Sequence, residues 1–543
     1  MQVDIIQQLT DELAQAYARA DFGVLAPELA YRSFSFCDPK FGDFASNIAL
    51  QQAKILGKSP RDIAQTLADQ FEISSVVDRA EVAGPGFLNI YLHADVWGTF
   101  LKSMNEHYYL SDSGQGQRVN IEFISANPTG PLVLVNAWNG FYGDVLARLY
   151  ASQGYEVTRE YYLNDGGNQI AQLGRAVQQA AGKTFAEEVS AELYRGSYID
   201  ALAERFTEQY GSQDTVRSMD PSELGDSAQK IIFAEYIQPT LTKLGIVFDE
   251  VYPESILDNR ATVERLAGVG AVIHKEGAVW LDAEKAGLEQ DEVLVRSTDK
   301  QDTYFLKDIS YQYGKLVDRK YDRAITIVGP DHHGQEKRLL AALKLLGLES
   351  FVPLWTQTVR LIKDGAEFKM SKRRGTYILL DELLEMVPVE TARFFFAMRD
   401  TNSHFDLDLD IIAAQNKHNP LYYVMYAYVR MQSVLSKAEA QAVPLDVQGD
   451  CVYRVREGDR ALVRKVVELR QIIASSVVSH QVHPVFHALI DFANLFHDWY
   501  ERHPILKADE NDRTQRLLLI AQLRRVLQGT FELIGITPID RME

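Results

Sequence analysis

The chain has 543 residues, too many for one hydrophobic core, so several domains are expected. An apolar fraction of 46% with 24% charged residues is ordinary for a globular protein, and no apolar run approaches the ~20 residues that cross a bilayer. A net charge of −19 argues against a protein that simply coats nucleic acid, and two cysteines, Cys37 and Cys451, are too few for a disulfide framework or a cysteine-rich zinc site.

The first twenty residues form an acidic amphipathic helix pattern without the basic start and apolar centre of a signal peptide, so a cytosolic location is expected. Residues 1–112 read as a small α+β domain. Helical patterns over 5–20, 45–56 and 60–71 precede the strand-like FLNIYL at 87–92, and the Gly/Ser-rich SDSGQGQ at 111–117 is a linker. From Arg118 strands and helices alternate. VNIEFI is a strand, the loop SANPTGPL leads into a helix that runs to about Tyr150, EVTREYYL is a second strand, and NDGGNQI opens another helix. AITIVGP and TQTVRLI read as further buried strands, each ending in a Gly/Asp loop. This alternation predicts an α/β Rossmann-like parallel sheet over 113–408, with ligands at the C-terminal strand ends. A mostly helical, acidic insertion is expected at about 169–290. Residues 409–543 show apolar spacing of three and four and read as an all-α domain, with a loop at 444–450. Residues 412–543 carry 16 Lys and Arg against 15 Asp and Glu, so the acidic surplus lies upstream and an RNA could dock on this end.

The strongest chemical signal is FKMSKRRG, 368–375, in which Lys369, Lys372, Arg373 and Arg374 place four positive charges in six residues. A basic loop after a buried strand suits ATP, whose charge grows on the leaving diphosphate; a solvated surface loop is the alternative. The KMSK wording resembles a class I aminoacyl-tRNA synthetase. Further segments in order along the chain (FGDFASNIAL, EVAGPGFLNIYL, IEFISANPTGPL, VTREYYLNDGGNQI, YRGSYI, TYFLKDISY, VGPDHHG, FDLDLD, NPLYYVMYAYVR and ELIGITPIDRM) resemble the arginyl-tRNA synthetase family.

The resemblance implies an N-terminal domain on the tRNA elbow, a core that activates arginine with ATP, and a helical domain on the anticodon. It implies Lys369 and Lys372 as catalytic groups, with Met370 and Ser371 also on the ATP. A guanidinium is a planar, permanently charged fork of donors and calls for carboxylates. Asp308 matches the family's guanidinium-binding aspartate, and Tyr304 lies four residues earlier on the same helix face. Glu122 and Asn127 match positions that hold the substrate's side chain and α-amino group. Gly329, Asp331 and His332 match the segment lining the ATP ribose and substrate pocket; a metal site there is an alternative, but adjacent histidines without further ligands make a poor zinc cage. Asn47 matches a tRNA-contacting patch, and Tyr423 and Arg430 lie on the expected anticodon-binding helix, where most aromatics are expected to pack. Expected partners are tRNA(Arg), L-arginine and ATP with Mg²⁺ as substrate, with no tightly bound cofactor, metal site or membrane, in a monomer.

One segment departs from the family. Its HIGH-type motif follows PTGPL, where this chain has Val133, Leu134, Val135 and Asn136. Val133 replaces the first histidine and cannot donate to a phosphate. Val135 replaces the glycine against which adenine lies. Asn136 replaces the second histidine and keeps an amide donor, which makes it the expected catalytic group of this loop. Trp138 stands where an arginine is common. Two readings follow: an active arginine–tRNA ligase with a variant loop, or a catalytically impaired relative that binds tRNA or arginine.

Overall fold

In the computed structural model, five parallel strands form the central sheet: β1 (Arg118–Glu122), β2 (Glu156–Leu163), β3 (Glu250–Pro253), β4 (Arg323–Val328) and β5 (Phe351–Trp355). The structure describes residues 4–71, 74–298, 301–329, 336–368, 379–443, 453 and 455–542. The strand order is β5-β4-β1-β2-β3. From β1 the chain crosses to β2 on one side through helix α1 (Leu134–Ser152), whereas β4 leads to β5 on the other through helix α3 (Glu336–Leu345). The two crossovers diverge between β1 and β4 and open a crevice at their C-terminal ends, where open α/β sheets bind ligands. Pro353 lies in β5, an edge strand, where the missing N–H costs no ladder bond on the outer side.

Sixteen of the nineteen residues of α1 are buried. It lies between the sheet and the helices Val389–Ala397, Glu457–Ser479 and Glu510–Leu533. Such a helix must be apolar around most of its circumference, and the few polar groups it buries must be paired. Asp144 is the main one. Burial pushes its carboxyl up, but Arg393 at 2.5 Å and Arg148 at 2.8 Å overcome this and hold it below its ordinary range. Arg393 also donates to the Leu244 carbonyl at 2.9 Å, so one guanidinium ties α1 to two other segments.

The N-terminal region carries a four-stranded antiparallel sheet in the order Phe34–Phe36, Phe44–Ser46, Phe87–Leu92, Val77–Ala83. It docks on the C-terminal helices through Tyr108 and Thr530, whose hydroxyls lie 2.8 Å apart, and through Arg470 on Asp4 at 3.2 Å. The C-terminal region is built of the helices Pro420–Ala440, Glu457–Ser479, His483–Arg502 and Glu510–Leu533. Its junction with α1 is a short hydrogen-bond chain. Arg323 donates to the Tyr150 hydroxyl at 3.1 Å, so the single Tyr150 proton points to Nδ1 of His480, 2.8 Å away. Burial and the Arg323 charge push the His480 imidazole down to about 4, which keeps that nitrogen an acceptor.

Several elements differ from the sequence reading. Residues 44–46 are a strand, and the following helix starts at Ile48. The stretch 169–290 supplies β3 and two of the three antiparallel strands Val272–Lys275, Ala278–Leu281 and Glu292–Val295, besides its helices. Strands of four residues are too short to display a period. Val359–Lys363 is a strand, but it pairs with Phe405–Asp408 and Ala366–Glu367 in a separate three-stranded sheet. Arg360 on its exposed side pairs with Asp406 at 2.8 Å, which suits a surface sheet and not the interior of a parallel one. The expected loop 444–450 lies outside the described residues.

Packing between β1 and α1 gives a test. A Cβ on Gly143 would come within 2.2 Å of Phe123 Cγ, just after β1. Gly143→Ala should destabilise the protein by about 1–3 kcal/mol, the cost of overpacking a close contact. A lower urea midpoint with unchanged far-UV circular dichroism is expected; an unchanged midpoint would mean that this contact yields freely.

Candidate active site

The loop leaving β1 turns sharply into the crevice. Ile124 and Ser125 have φ of 67° and 40°, in the left-handed region that non-glycine residues avoid. Such strain persists only where neighbours over-determine the backbone. Here Tyr162 N–H donates to Ser125 Oγ at 3.0 Å, and the Tyr161 hydroxyl donates to the Ala126 carbonyl at 2.6 Å. Asn127, at the exposed end of this turn, is open to solvent.

Glu122, the last residue of β1, stands in register with Thr326 of β4 and Glu160 of β2, and Glu160 stands in register with Glu250 of β3. A row of three carboxylates therefore crosses adjacent strands on one sheet face, where like charges repel. One helix resolves this. Helix α2 (Tyr304–Tyr313) continues through a π-helical turn at Gly314–Asp318, and Tyr311, Lys315 and Arg319 form a stripe at four-residue spacing. Lys315 is fully buried and lies 2.6 Å from Glu122 Oε2 and 3.7 Å from Glu160 Oε1. Tyr311 donates to Glu160 at 2.5 Å, and Arg319 pairs with both Glu160 and, at 3.2 Å, Glu250. Burial would push the Glu160 carboxyl up, yet Lys315 and Arg319 hold it below its ordinary range. Thr326 adds a hydroxyl to Glu122 Oε2 at 2.9 Å.

At the other end of the same stripe lie Tyr304, exposed at the start of α2, and Asp308 one turn on. Asp308 is half-buried and makes no hydrogen bond or ion pair with any described residue. Its carboxyl is pushed up to about 7, first by burial and then by the charges of Glu122 and Glu254; Arg338 and Lys307 only partly offset this. Glu254, just past β3, is buried, accepts from the Tyr162 hydroxyl at 3.0 Å and pairs with Lys307 at 2.5 Å. The site is thus short of one cation beside Asp308. Sequence reasoning named Glu122 but missed Glu254, Tyr162, Lys307 and the other two carboxylates of the row, Glu160 and Glu250. The alternation of Asp308, Tyr311, Lys315 and Arg319 along one helix stripe was a visible signal; Glu254 carried none.

Val133 is the N-cap of α1 and offers no side-chain cap. Asn136 makes the reciprocal half of a capping box: its side-chain oxygen accepts from the Val133 N–H at 2.8 Å. Because that partner is a donor, the carboxamide orientation is fixed, and the NH₂ end is left without a partner among the described residues. Val133 and Val135 are half-buried, while Trp138 is fully buried against Phe405 and belongs to the core. Leu380 N–H donates to the Leu132 carbonyl at 2.9 Å, and Val133 bridges Leu379, so the VLVN turn is tied to the segment that follows the basic loop. Gly329 follows β4 directly across the crevice from β1. Asp331, His332, Lys369, Met370, Ser371 and Lys372 lie outside the described residues.

The remaining expected contacts sit far along the chain. Asn47 precedes the helix Ile48–Leu56 and accepts from Gln51 at 2.7 Å. Arg430 is held over the rings of Tyr426 and Tyr500 and lies 3.2 Å from His497 Nδ1, and Tyr423 packs on His497. Tyr426 is exposed, whereas Tyr428 is buried in the core.

Comparison with known proteins fits this architecture region by region. Residues 4–92 match the family described as arginyl tRNA synthetase N terminal domain, residues 101–408 match the tRNA synthetases class I (R) catalytic domain, and residues 424–542 match the DALR anticodon binding domain. An arginine–tRNA ligase of Carboxydothermus hydrogenoformans is 35% identical over 99% of this chain and all of its own length. One of Symbiobacterium thermophilum is 36% identical over 99% of this chain and 98% of its own. The solved arginyl-tRNA synthetase of Thermus thermophilus superposes with a TM-score of 0.77 at 22% identity, covering 98% of this chain and 99% of that one, and so shares the fold. The chain belongs to the arginyl-tRNA synthetase family of class I aminoacyl-tRNA synthetases.

Proposed function

We propose that the protein is an arginine–tRNA ligase: it joins L-arginine and ATP to arginyl-adenylate and diphosphate, then transfers the arginyl group to the 3′-terminal adenosine of tRNA(Arg). Mg²⁺ enters with ATP as part of the substrate. In this reading residues 1–112 meet the tRNA elbow, 113–408 perform the chemistry and 409–543 grip the anticodon, in a cytosolic monomer. Asn47, Tyr423 and Arg430 contact the RNA.

The observation that carries this reading is the unpaired carboxyl of Asp308, raised by burial and by two neighbouring carboxylates. A guanidinium supplies the missing cation and a planar fork of donors. Tyr304 and Asn127 flank it, Asn127 toward the α-amino group. Val133, Val135 and Gly329 line the nucleotide end with Asp331 and His332, and Lys369, Met370, Ser371 and Lys372 neutralise the diphosphate. The NH₂ end of Asn136 and the N-terminus of α1 stabilise the phosphates where family members use histidines. Neither step requires Asn136 to carry a proton.

Three outcomes test this. Wild-type protein should charge tRNA(Arg) with radiolabelled arginine, and Asp308→Ala should raise the arginine KM by about 10²-fold, the loss of a charge-assisted contact of about 3 kcal/mol, with tRNA affinity unchanged. Tight tRNA binding without charging would favour the impaired relative.

Asp308 also sets a pH dependence. With its carboxyl near 7 in the free protein, protonation competes with the guanidinium. Arginine affinity should be constant above that range and fall by up to about tenfold per pH unit below it, with proton release on binding. Calorimetry in buffers of different ionisation enthalpy reads the released proton; a flat profile from pH 6 to about 8 would exclude an Asp308–guanidinium pair.

Asn136→Asp keeps the acceptor that caps α1 and removes the donor. Stability should stay within about 0.5 kcal/mol of wild type. ATP–diphosphate exchange with tRNA present should fall by roughly 10²-fold or more. Wild-type exchange in this variant would show that the amide donor is unused.

A further inference from the structure

Lys315 is a fully buried ammonium that no step of the proposed reaction uses. Its Nζ lies 2.6 Å from Glu122 Oε2 and 3.5 Å from the Thr326 hydroxyl, and sits 4.1 Å from the centre of the Tyr311 ring. Thr326 donates to the same Glu122 oxygen. Oε2 is therefore saturated, whereas Oε1 accepts from no described residue and is not sealed from solvent. Glu122 and Lys315 belong to different elements, one at the end of β1 and one on the turn that extends α2. That same rod carries Asp308 two turns earlier, on the same stripe.

We infer that Lys315 is a positioning residue of the arginine pocket, which fixes one oxygen of Glu122 so that the other serves as a charged acceptor for the substrate guanidinium. The inference rests on the proposed arginine chemistry. Without the ammonium, Glu122 would stand beside Glu160 and near Asp308 with no cation of its own, because Arg319 pairs with Glu160 and Glu250, and adjacent buried carboxylates share protons rather than all ionise. A protonated Glu122 offers a hydroxyl donor to a group that consists only of donors. Lys315 thereby acts on selectivity for charge: arginine benefits, and citrulline, a neutral ureido isostere, does not.

The test uses the full-length protein with Lys315→Met, Lys315→Arg, Glu122→Gln and the double variant Glu122→Gln/Lys315→Met. Lys315→Met should raise the arginine KM by roughly tenfold or more with kcat changed by no more than about threefold, and leave the citrulline inhibition constant where it was. Lys315→Arg should recover most of the arginine KM. In the Glu122→Gln background, Lys315→Met should change the arginine KM by less than about twofold, because the two residues act as one unit. The double variant buries a neutral pair and so tolerates the loss of both charges, which keeps the comparison available if Lys315→Met alone does not fold. Arginine and citrulline constants that worsen together, or an equal Lys315→Met effect with and without Glu122, would overturn the inference. Should the wild type fail to charge tRNA, the proposed function fails; the same ratios measured by calorimetric binding of arginine and citrulline still decide the role of Lys315.

Discussion

The row Thr326–Glu122–Glu160–Glu250, buried except at Glu250, and the stripe Tyr311–Lys315–Arg319 that covers it form the constraint on which the crevice depends. Three carboxylates on neighbouring strands are unfavourable alone, and two cations and a hydroxyl from one helix satisfy them only in a single register. A one-residue slip of any strand would turn its carboxylate to the other face. The row therefore fixes the relative heights of β1 to β4 and the position of α2 together. Everything that α2 carries toward the crevice, Asp308 above all, inherits that position.

The second fixed body is α1. Its burial among the sheet and three helices, with Asp144 clamped by Arg393 and Arg148, leaves its first turn little freedom. This bears on the VLVN segment. Val133 offers the first-turn N–H groups no side-chain acceptor, and Asn136, three residues ahead, makes the reciprocal half of a capping box by accepting from the Val133 N–H itself. Asn136 is thus bound into the helix start by the oxygen end of its amide, and only the NH₂ end is left open. The same turn meets Leu379 and Leu380, so it is coupled to the segment beyond the basic loop by backbone bonds that any side chain permits.

Where the pattern was long or chemically unusual, the sequence was legible. FLNIYL, EVTREYYL and AITIV became strands within a residue or two of expectation, because buried strands of five or more residues leave a continuous signature. Tyr304 and Asp308 share a helix as their spacing implied. Short elements were not legible: EVYP entered the main sheet although four residues carry no periodicity, and TQTVRLIKDG left it because its alternation suits a surface sheet equally well. The aromatic helix 420–440 divided as packing required, with Tyr428 in the core and Tyr426 outside, close to Arg430.

The sequence by itself determined the order of the domains, the sheet class and the residue types able to meet a guanidinium and a triphosphate, because these follow from local periodicity and from motifs a few residues long. Resemblance to the family matched Asp308 to its guanidinium-binding position and Glu122 to a position that holds the substrate. Only the tertiary structure decided what each of them is free to do. Glu122 has one oxygen spent on Lys315, 193 residues away, while Asp308 has no partner and a carboxyl displaced to about 7. The reason is physical: charge state and hydrogen-bond vacancy are set by burial and by neighbours brought from distant strands, and neither is written in the spacing of a motif.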